Sequence, residues 1–165
     1  DNGRTNLLAN PAMRESLYCI RCGACLNACP VYKNIGGHSY GATYSGPIGS
    51  VISPQMYGLD EYKHLSYASS LCGNCTEVCS VKINLHELLL HNRYESVQAG
   101  KNTLSETMAW KMWRLAMMHR PLMDMANGDI KEKVVNRIFT SWTQNRDKLY
   151  FPKKSFSRLW RERRS

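Results

Sequence analysis

All seven cysteines of the 165-residue chain lie between residues 19 and 79, in two short groups. The first group has the spacing Cys-x2-Cys-x2-Cys-x3-Cys-Pro and consists of Cys19, Cys22, Cys25, Cys29 and Pro30. Three thiolates two residues apart can wrap one loop around three irons of a cubane, and this run is a bacterial pattern for iron–sulfur ligation. Zinc sites more often pair two Cys-x2-Cys units. The first group therefore predicts an iron–sulfur cluster.

The second group, Cys72, Cys75 and Cys79, repeats this spacing without its first cysteine. Ser69 stands at the missing position, and Ser80 stands in place of the proline. In proteins with two such runs, the last cysteine of a run ligates the other cluster. Crossed ligation therefore gives one cluster four cysteines and the other cluster three. The two predicted ligand sets are Cys19, Cys22, Cys25 and Cys79 for the first cluster, and Cys29, Cys72 and Cys75 for the second.

The four-cysteine set predicts a [4Fe-4S] cluster, whereas the three-cysteine set leaves two cluster types open. The second site takes either a [3Fe-4S] cluster or a [4Fe-4S] cluster whose last iron binds Ser69, water, another residue or a substrate atom. A hydrogen-bonding neighbour is the simpler role for Ser69. His38 is a lone histidine in a glycine-rich loop, and we expect it to pack there rather than to bind metal. His86 and His91 lie five apart on one predicted helix, so we expect surface or core roles for them.

The same cysteines are poor candidates for disulfides. Their number is odd, and cysteines three apart on one helical turn lack the Cβ geometry that a disulfide needs. Thiols that await a cluster would be oxidised or mispaired in an oxidising compartment. We therefore expect a cytoplasmic protein.

Helix signals surround the cysteines, and no segment alternates convincingly as a strand would. Asn10-Pro11 predicts a helix start, and Pro30 predicts the end of a turn and short helix that begin at Cys22. Six glycines and two prolines from Ile35 to Gly58 predict a loop with short helical pieces. The chain is therefore predicted to be mainly α-helical. Further helices are expected over residues 11–18, 60–70, 84–100, 103–119 and 129–142, with a capping box at Thr103-x-x-Glu106.

The chain changes composition near residue 100. Residues 1–100 carry seven basic and seven acidic residues, whereas residues 101–165 carry fifteen and six, which accounts for the net charge of +9. We predict a two-cluster domain at residues 1–100 and a basic helical extension at residues 101–165. No stretch approaches 18 apolar residues, so no membrane span is expected. The chain also shows no signal-peptide leader, and we expect it to be the last part of a longer protein.

The basic tail, from Pro152 to Ser165, interleaves Lys and Arg with Phe156, Leu159 and Trp160. We expect it to dock on an acidic partner subunit; disorder is the second interpretation, and peripheral contact with an anionic membrane on its inner face is the third. Nucleic acid is not expected, because no recognised binding module accompanies the charge. A stripe with helical spacing is expected to be core or to cover a partner rather than to bind quinone; it consists of Met108, Met112, Leu115 and His119, near Trp110 and Trp113.

Four segments resemble the lactate utilisation protein B family, the iron–sulfur subunit of a bacterial L-lactate oxidising system. They are Tyr18 to Tyr32, Ile35 to Gly41, Gly46 to Gly49 and Ala68 to Cys75. The 42 residues between the cysteine groups likewise resemble the α-helical ferredoxin fold of succinate dehydrogenase iron–sulfur subunits. The resemblance implies that a large N-terminal domain precedes Asp1, and that a three-cysteine second group is ordinary. Ser80 departs from the usual proline, and we expect a local backbone effect only.

The predicted function is electron transfer through two cubane-type clusters, within a complex that oxidises L-lactate to pyruvate, as the resemblance implies. No catalytic triad, phosphate loop or nucleotide fingerprint is present, so no catalytic residue is assigned to this chain. One alternative is the iron–sulfur subunit of another flavin-linked dehydrogenase, of the glycolate, glycerol 3-phosphate or succinate type. A second is a structural zinc module that binds a partner. A third, a cluster that acts as a Lewis acid catalyst, lacks acid–base pairs nearby.

Overall fold

The computed structural model describes residues 1–119, 121–122, 127–144 and 146–164, and every regular element within those residues is a helix. The predicted mainly α-helical class is therefore confirmed. The chain divides into two compact units, Asp1–Asn102 and Thr103–Ser165. Ser165, the last residue of the basic tail, and the side chain of Trp142 lie outside the described residues.

The first unit contains all the cysteines and is built from short helices around one apolar core. Three cysteines belong to that core, so the two cysteine groups are part of the packing and not surface additions. The core consists of Leu7, Met13, Val51, Ile83, Leu85, Leu88 and Leu89 with Cys25, Cys75 and Cys79. The α-helices are α1 (Arg4–Ala9), α2 (Ala24–Ala28), α3 (Pro30–Ile35), α4 (Gly46–Tyr57), α5 (Leu59–Tyr67), α6 (Asn74–Glu77) and α7 (Leu85–Gln98), with 3-10 helices at Arg14–Tyr18 and His38–Tyr40.

Helix α4 corrects the prediction of a loop with only short helical pieces between Ile35 and Gly58. It runs for 12 residues, most of them buried, and it packs against α1, α5 and α7. The two glycines inside this helix, Gly46 and Gly49, serve close packing. A Cβ on Gly49 would lie 2.0 Å from the carbonyl oxygen of Tyr44. Small residues in this segment therefore mark a tightly packed helix.

We expect Gly49→Ala to lower the free energy of unfolding by about 1–3 kcal/mol, because the backbone must shift to admit the methyl group. Gly37→Ala is the matched control: Gly37 has a helical φ of −71°, and its added Cβ would come no closer than 3.4 Å to Ser45 and Tyr32. Urea denaturation followed by circular dichroism, on protein kept anaerobic, measures both variants. Equal losses of stability in the two variants would contradict the packing argument.

Pro54 lies inside α4 and leaves a carbonyl without its helical partner. Proline has no N–H, so the carbonyl of Ser50, four residues earlier, lacks the usual helix hydrogen bond. The Ser66 hydroxyl and the Asn92 side-chain amide donate to this oxygen at 2.9 and 3.3 Å. Asn92, only 1% exposed on α7, also donates to the Val51 carbonyl at 2.9 Å. This buried network joins α4, α5 and α7 where α4 is interrupted.

Several predicted helix ends differ from the structure. Residues 11–18 form a turn and a 3-10 helix, and α1, which was not predicted, precedes them. Pro30 was expected only to end a helix, but it is also the first residue of α3, a position where a missing N–H does no harm. Asn84 precedes α7 as predicted, yet its side chain makes no capping hydrogen bond. Gly100 follows the end of α7 with a φ of +65°, as expected of a glycine that ends a helix.

The second unit begins with the predicted cap, since the Thr103 hydroxyl accepts a hydrogen bond from the Glu106 N–H at 3.2 Å. Met108, Met112 and Leu115 are each about half exposed or more, so their stripe forms no core among the described residues. None of the helices described is long and apolar enough to cross a membrane. The α-helices whose bounds lie within the described residues of this unit are α8 (Leu104–Met118), α9 (Gly128–Ile138), α10 (Thr140–Thr143) and α11 (Phe156–Arg164).

Candidate iron–sulfur centres

The two cysteine groups form a repeat at an offset of 50 residues, so that Cys22 in the first group is equivalent to Cys72 in the second. Arg21 and Leu71, the residues just before those cysteines, have φ angles of +58° and +52°. Gly23 and Gly73, just after them, have φ angles of +77° and +78°. Non-glycine residues rarely adopt this left-handed conformation, and such strain concentrates at functional sites. Both groups therefore use one loop conformation, which leads into α2 in the first case and into α6 in the second.

The four cysteines predicted for the first cluster line one cavity of about 220 Å³. Cys79 reaches it from the second group, while the other three come from the first. Cys25 and Cys79 are buried, whereas Cys22 is exposed. The remaining walls are mainly apolar, and they include Ile20, Leu26, Ile48, Val81, Ile83 and Leu85.

The three cysteines predicted for the second cluster line a separate cavity, which also contacts Ser69 and His86. This cavity is much smaller, about 20 Å³, and one of its walls is the exposed Cys72. A cluster at this site therefore requires the wall to open. In the described part of the chain, no three His, Cys, Asp or Glu side chains converge closely enough to hold one metal ion.

Hydrogen-bond donors surround the sulfur atoms in both cavities. The backbone N–H of Arg21 donates to Cys19 Sγ at 3.4 Å, and that of Ile83 donates to Cys79 Sγ at 3.3 Å. The N–H of Tyr32 donates to Cys29 Sγ at 3.5 Å. Such contacts stabilise negative charge on sulfur and tune iron–sulfur centres. The four-cysteine cavity, with its volume, thiols and donors, fits a cluster.

Ser80 has a larger role than the local backbone effect expected from the sequence. Its hydroxyl lies 3.6 Å from Sγ of Cys22, a cysteine of the other motif. The Ala24 N–H and this hydroxyl lower the pKa of the Cys22 thiol. A proline could not make the side-chain contact, because its ring carries no hydroxyl. Ser80 is thus a second residue, besides Cys79, that the later motif contributes to the first site.

The thiols within each site differ in pKa because they differ in burial and in hydrogen bonding. The buried Cys25 has its pKa raised to about 11, mainly by loss of solvent, and burial also raises the pKa of Cys75. Cys72 behaves oppositely, because hydrogen bonds from the Asn74 N–H and from Ser70 lower its pKa. Iron binding needs thiolates, so loading these sites releases protons.

Ser69 takes the place that Cys19 has in the first loop. Its hydroxyl accepts from the Leu71 N–H at 3.2 Å, as Cys19 Sγ accepts from the residue two positions on. Arg93 of α7 donates to the carbonyls of Ser66 and Ser69, both at 3.0 Å. The guanidinium therefore holds the segment that leads into the second motif.

His38 and His86 differ from the expectations, whereas His91 has the expected role outside the metal sites. His38 is exposed on its 3-10 helix and lines neither cysteine cavity among the described residues. His86 was given only a surface or core role, but it lines the three-cysteine cavity, with Nδ1 2.8 Å from the Thr76 hydroxyl. The sequence signal that could have predicted this position is that His86 lies on the first turn of the helix that follows the second motif. His91 lies away from the cavities and contacts Glu95 at 3.0 Å.

Comparison with known proteins supports an iron–sulfur protein. Residues 15–83 match the family described as the 4Fe-4S dicluster domain. Lactate utilization protein B from Bacillus thuringiensis (strain Al Hakam), and the proteins of that name from Bacillus cereus (strain Q1) and Bacillus anthracis (strain A0248), are each 52% identical over 128 residues. The match covers 77% of this chain and 27% of each relative. No solved structure matches the chain.

The helical fold and the domain match over residues 15–83 place the chain among iron–sulfur proteins and support a role in electron transfer. Over 128 residues the chain is a homologue of Lactate utilization protein B, as the motif resemblance predicted. The chain spans about a quarter of the length of these relatives, at 27%.

Proposed function

We propose that this chain is the electron-transfer part of an iron–sulfur subunit that serves the oxidation of L-lactate to pyruvate. One observation carries the proposal: each cysteine cavity draws thiols from both motifs, in the sets expected for crossed ligation. The substrate is inferred from the relatives' name, which refers to lactate utilisation. The proposed partners are the other subunits of a lactate-oxidising complex.

The proposed ligands divide unequally. Cys19, Cys22, Cys25 and Cys79 hold a [4Fe-4S] cluster, and the second site is either [4Fe-4S] or [3Fe-4S]. When bound, such clusters accept and release single electrons. The second set is Cys29, Cys72 and Cys75.

Other residues of the chain determine the burial, the hydrogen bonding and the exposure of these sites. The short helices α2 and α6 carry Cys25 and Cys75 into the apolar core, which keeps water from the inner side of each site. Backbone N–H groups and the Ser80 hydroxyl supply hydrogen bonds to sulfur, a contribution known to shift reduction potentials. Cys22 and Cys72 stand at the exposed side, where partners that exchange electrons can approach.

The two regions have different proposed roles. Residues 1–100 hold the clusters, and the basic extension at residues 101–165 docks on an acidic surface of a partner subunit. The charge distribution supports this division, because all of the net positive charge lies in the extension. A peripheral site at the inner membrane face is a separate proposal, which rests on the basic helix α11.

The test is an iron and sulfide count, with electron paramagnetic resonance, on protein purified without oxygen. We expect seven to eight irons per chain with matching sulfide, because a four-iron site stands beside a three- or four-iron site. The signal of an oxidised three-iron centre would assign an open corner to the three-cysteine site. Zinc without sulfide would overturn the proposal and favour a structural metal module.

A further inference from the structure

A cavity beside the four-cysteine site has the features of an anion-binding site. It has a volume of about 160 Å³ and is separate from both cysteine cavities. Cys19, Arg21, Tyr44 and Ile48 line it as well as the four-cysteine cavity, so the two cavities share a wall. Its size exceeds that needed for a single water and falls below that of a drug-sized pocket. A molecule of a few heavy atoms fits such a space.

Two guanidinium groups meet at this cavity. Arg4 Nη2 and Arg21 Nη2 both donate to the Tyr44 hydroxyl oxygen, at 2.7 and 3.1 Å. The two positive groups therefore lie within two hydrogen-bond lengths of each other. Neither of them forms an ion pair in the described part of the chain. Like charges held this close repel, so a bound anion would stabilise the arrangement.

A buried hydroxyl belongs to a residue of the same lining. Ser16 is 2% exposed, and its Oγ has no hydrogen-bond partner within the described residues. An unpaired buried hydroxyl costs free energy unless a ligand or a water satisfies it. Ser16 lines the cavity together with Arg4 and Arg21, so a polar ligand atom that reached this hydroxyl would satisfy it.

The apolar part of the lining narrows the ligand class. Leu7, Leu17, Ile52 and Met56 form much of the remaining wall. Phosphate or sulfate would leave this apolar surface without a partner. Guanidinium groups match the planar carboxylate, and aliphatic walls match a short carbon chain. We propose that this cavity binds a short-chain carboxylate beside the first cluster site.

The binding site rests on Arg4, Arg21, Tyr44 and Ser16, and it does not depend on the proposed function. Calorimetric titration of the anaerobically purified chain with propionate tests it directly. Propionamide, which has the same shape without the charge, and inorganic phosphate are the comparison ligands. We expect saturable binding of propionate, at least about tenfold tighter than binding of either comparison ligand. Propionamide cannot form the charge-assisted hydrogen bonds to guanidinium, and phosphate does not match the apolar part of the wall.

Two variants locate the site. Arg4→Gln should weaken propionate binding about tenfold or more, and Ser16→Ala should weaken it severalfold. Arg14→Gln is the matched control, because it removes the same charge from a residue that does not line the cavity and donates instead to the Leu8 carbonyl. Iron content and visible absorption, measured on every variant, report separately on the cluster sites.

Several outcomes would overturn the inference. If propionate does not bind, the cavity holds only water. If propionate and phosphate bind with equal affinity, the site attracts anions in general. If Arg4→Gln and Arg14→Gln weaken binding equally, the ligand does not bind in this cavity. Iron content reports on the clusters, and propionate binding reports on this cavity. A chain that keeps its full iron content but does not bind propionate would therefore overturn this inference and leave the proposed function standing.

Discussion

Cys79→Ala is expected to abolish the four-cysteine cluster and leave the three-cysteine cluster in place, although Cys79 belongs to the second motif. The reason is geometric: Cys79 lines the cavity of Cys19, Cys22 and Cys25, whereas Cys72 and Cys75 line the other one. The iron content of the variant should fall by about half, since one of two clusters is lost. Iron and sulfide analysis with electron paramagnetic resonance on anaerobic protein measures the change.

Two matched variants make this result decisive. Cys29→Ala should give the opposite outcome and remove the cluster of the second motif. Cys19→Ser should resemble Cys79→Ala, because both residues line the four-cysteine cavity. If Cys79→Ala instead damaged the second cluster and spared the first, ligation would occur within each motif and the crossed assignment would be wrong.

Asn92→Asp is expected to lower the free energy of unfolding by about 3–5 kcal/mol at neutral pH, the scale of an unpaired charge in a protein interior. The Asn92 amide donates to the carbonyls of Ser50 and Val51 at 3.3 and 2.9 Å. A carboxylate has no proton to donate there, and its own charge would face two carbonyl oxygens. The site is almost fully buried, so water cannot compensate.

The pH dependence of this variant has a definite sign. Burial raises the pKa of the introduced carboxyl in the folded state, so the folded state retains a proton that the unfolded state has lost. The destabilisation should therefore grow as the pH rises from about 5 to about 8. Gln98→Glu, an amide-to-carboxylate change at an exposed position of α7, should remain close to the parent protein. Urea denaturation across this range, without oxygen, checks both variants.

Spacing alone was informative for the cysteines and for the helices with polar caps. The cap of α8 at Thr103 follows from local hydrogen-bonding preferences, whereas Asn84 marks the start of α7 by residue type alone, since its side chain makes no capping hydrogen bond. Helix α4 could not be predicted in the same way. Its Gly49 and Pro54 disfavour a helix in isolation. Gly49 is needed because a Cβ there would meet the Tyr44 carbonyl, and the Ser50 carbonyl that Pro54 leaves without a helical partner accepts from Ser66 and Asn92 of other helices.

The environment of the cysteines depended on residues far away in the sequence. The proximity of Ser80 to Cys22 spans 58 residues, and local patterns carry no information on such pairs. His86 looked ordinary because its neighbour in space, the loop of Ser69 to Cys72, precedes it by more than ten residues. The cavity between Arg4, Arg21 and Tyr44 likewise arises only when α1 folds against α4.

The shared cavity of Cys19 and Cys79 also has a consequence for biosynthesis. A ribosome synthesises the chain from its N-terminus, so Cys19, Cys22 and Cys25 emerge well before their fourth companion. At typical translation rates this interval lasts on the order of several seconds. During that time the three thiols can react with an iron donor or with an oxidant before the fourth cysteine is present. A chain truncated before residue 79 never completes the set. Under the proposed crossed ligation, the four-cysteine set is therefore complete only once residue 79 has been synthesised.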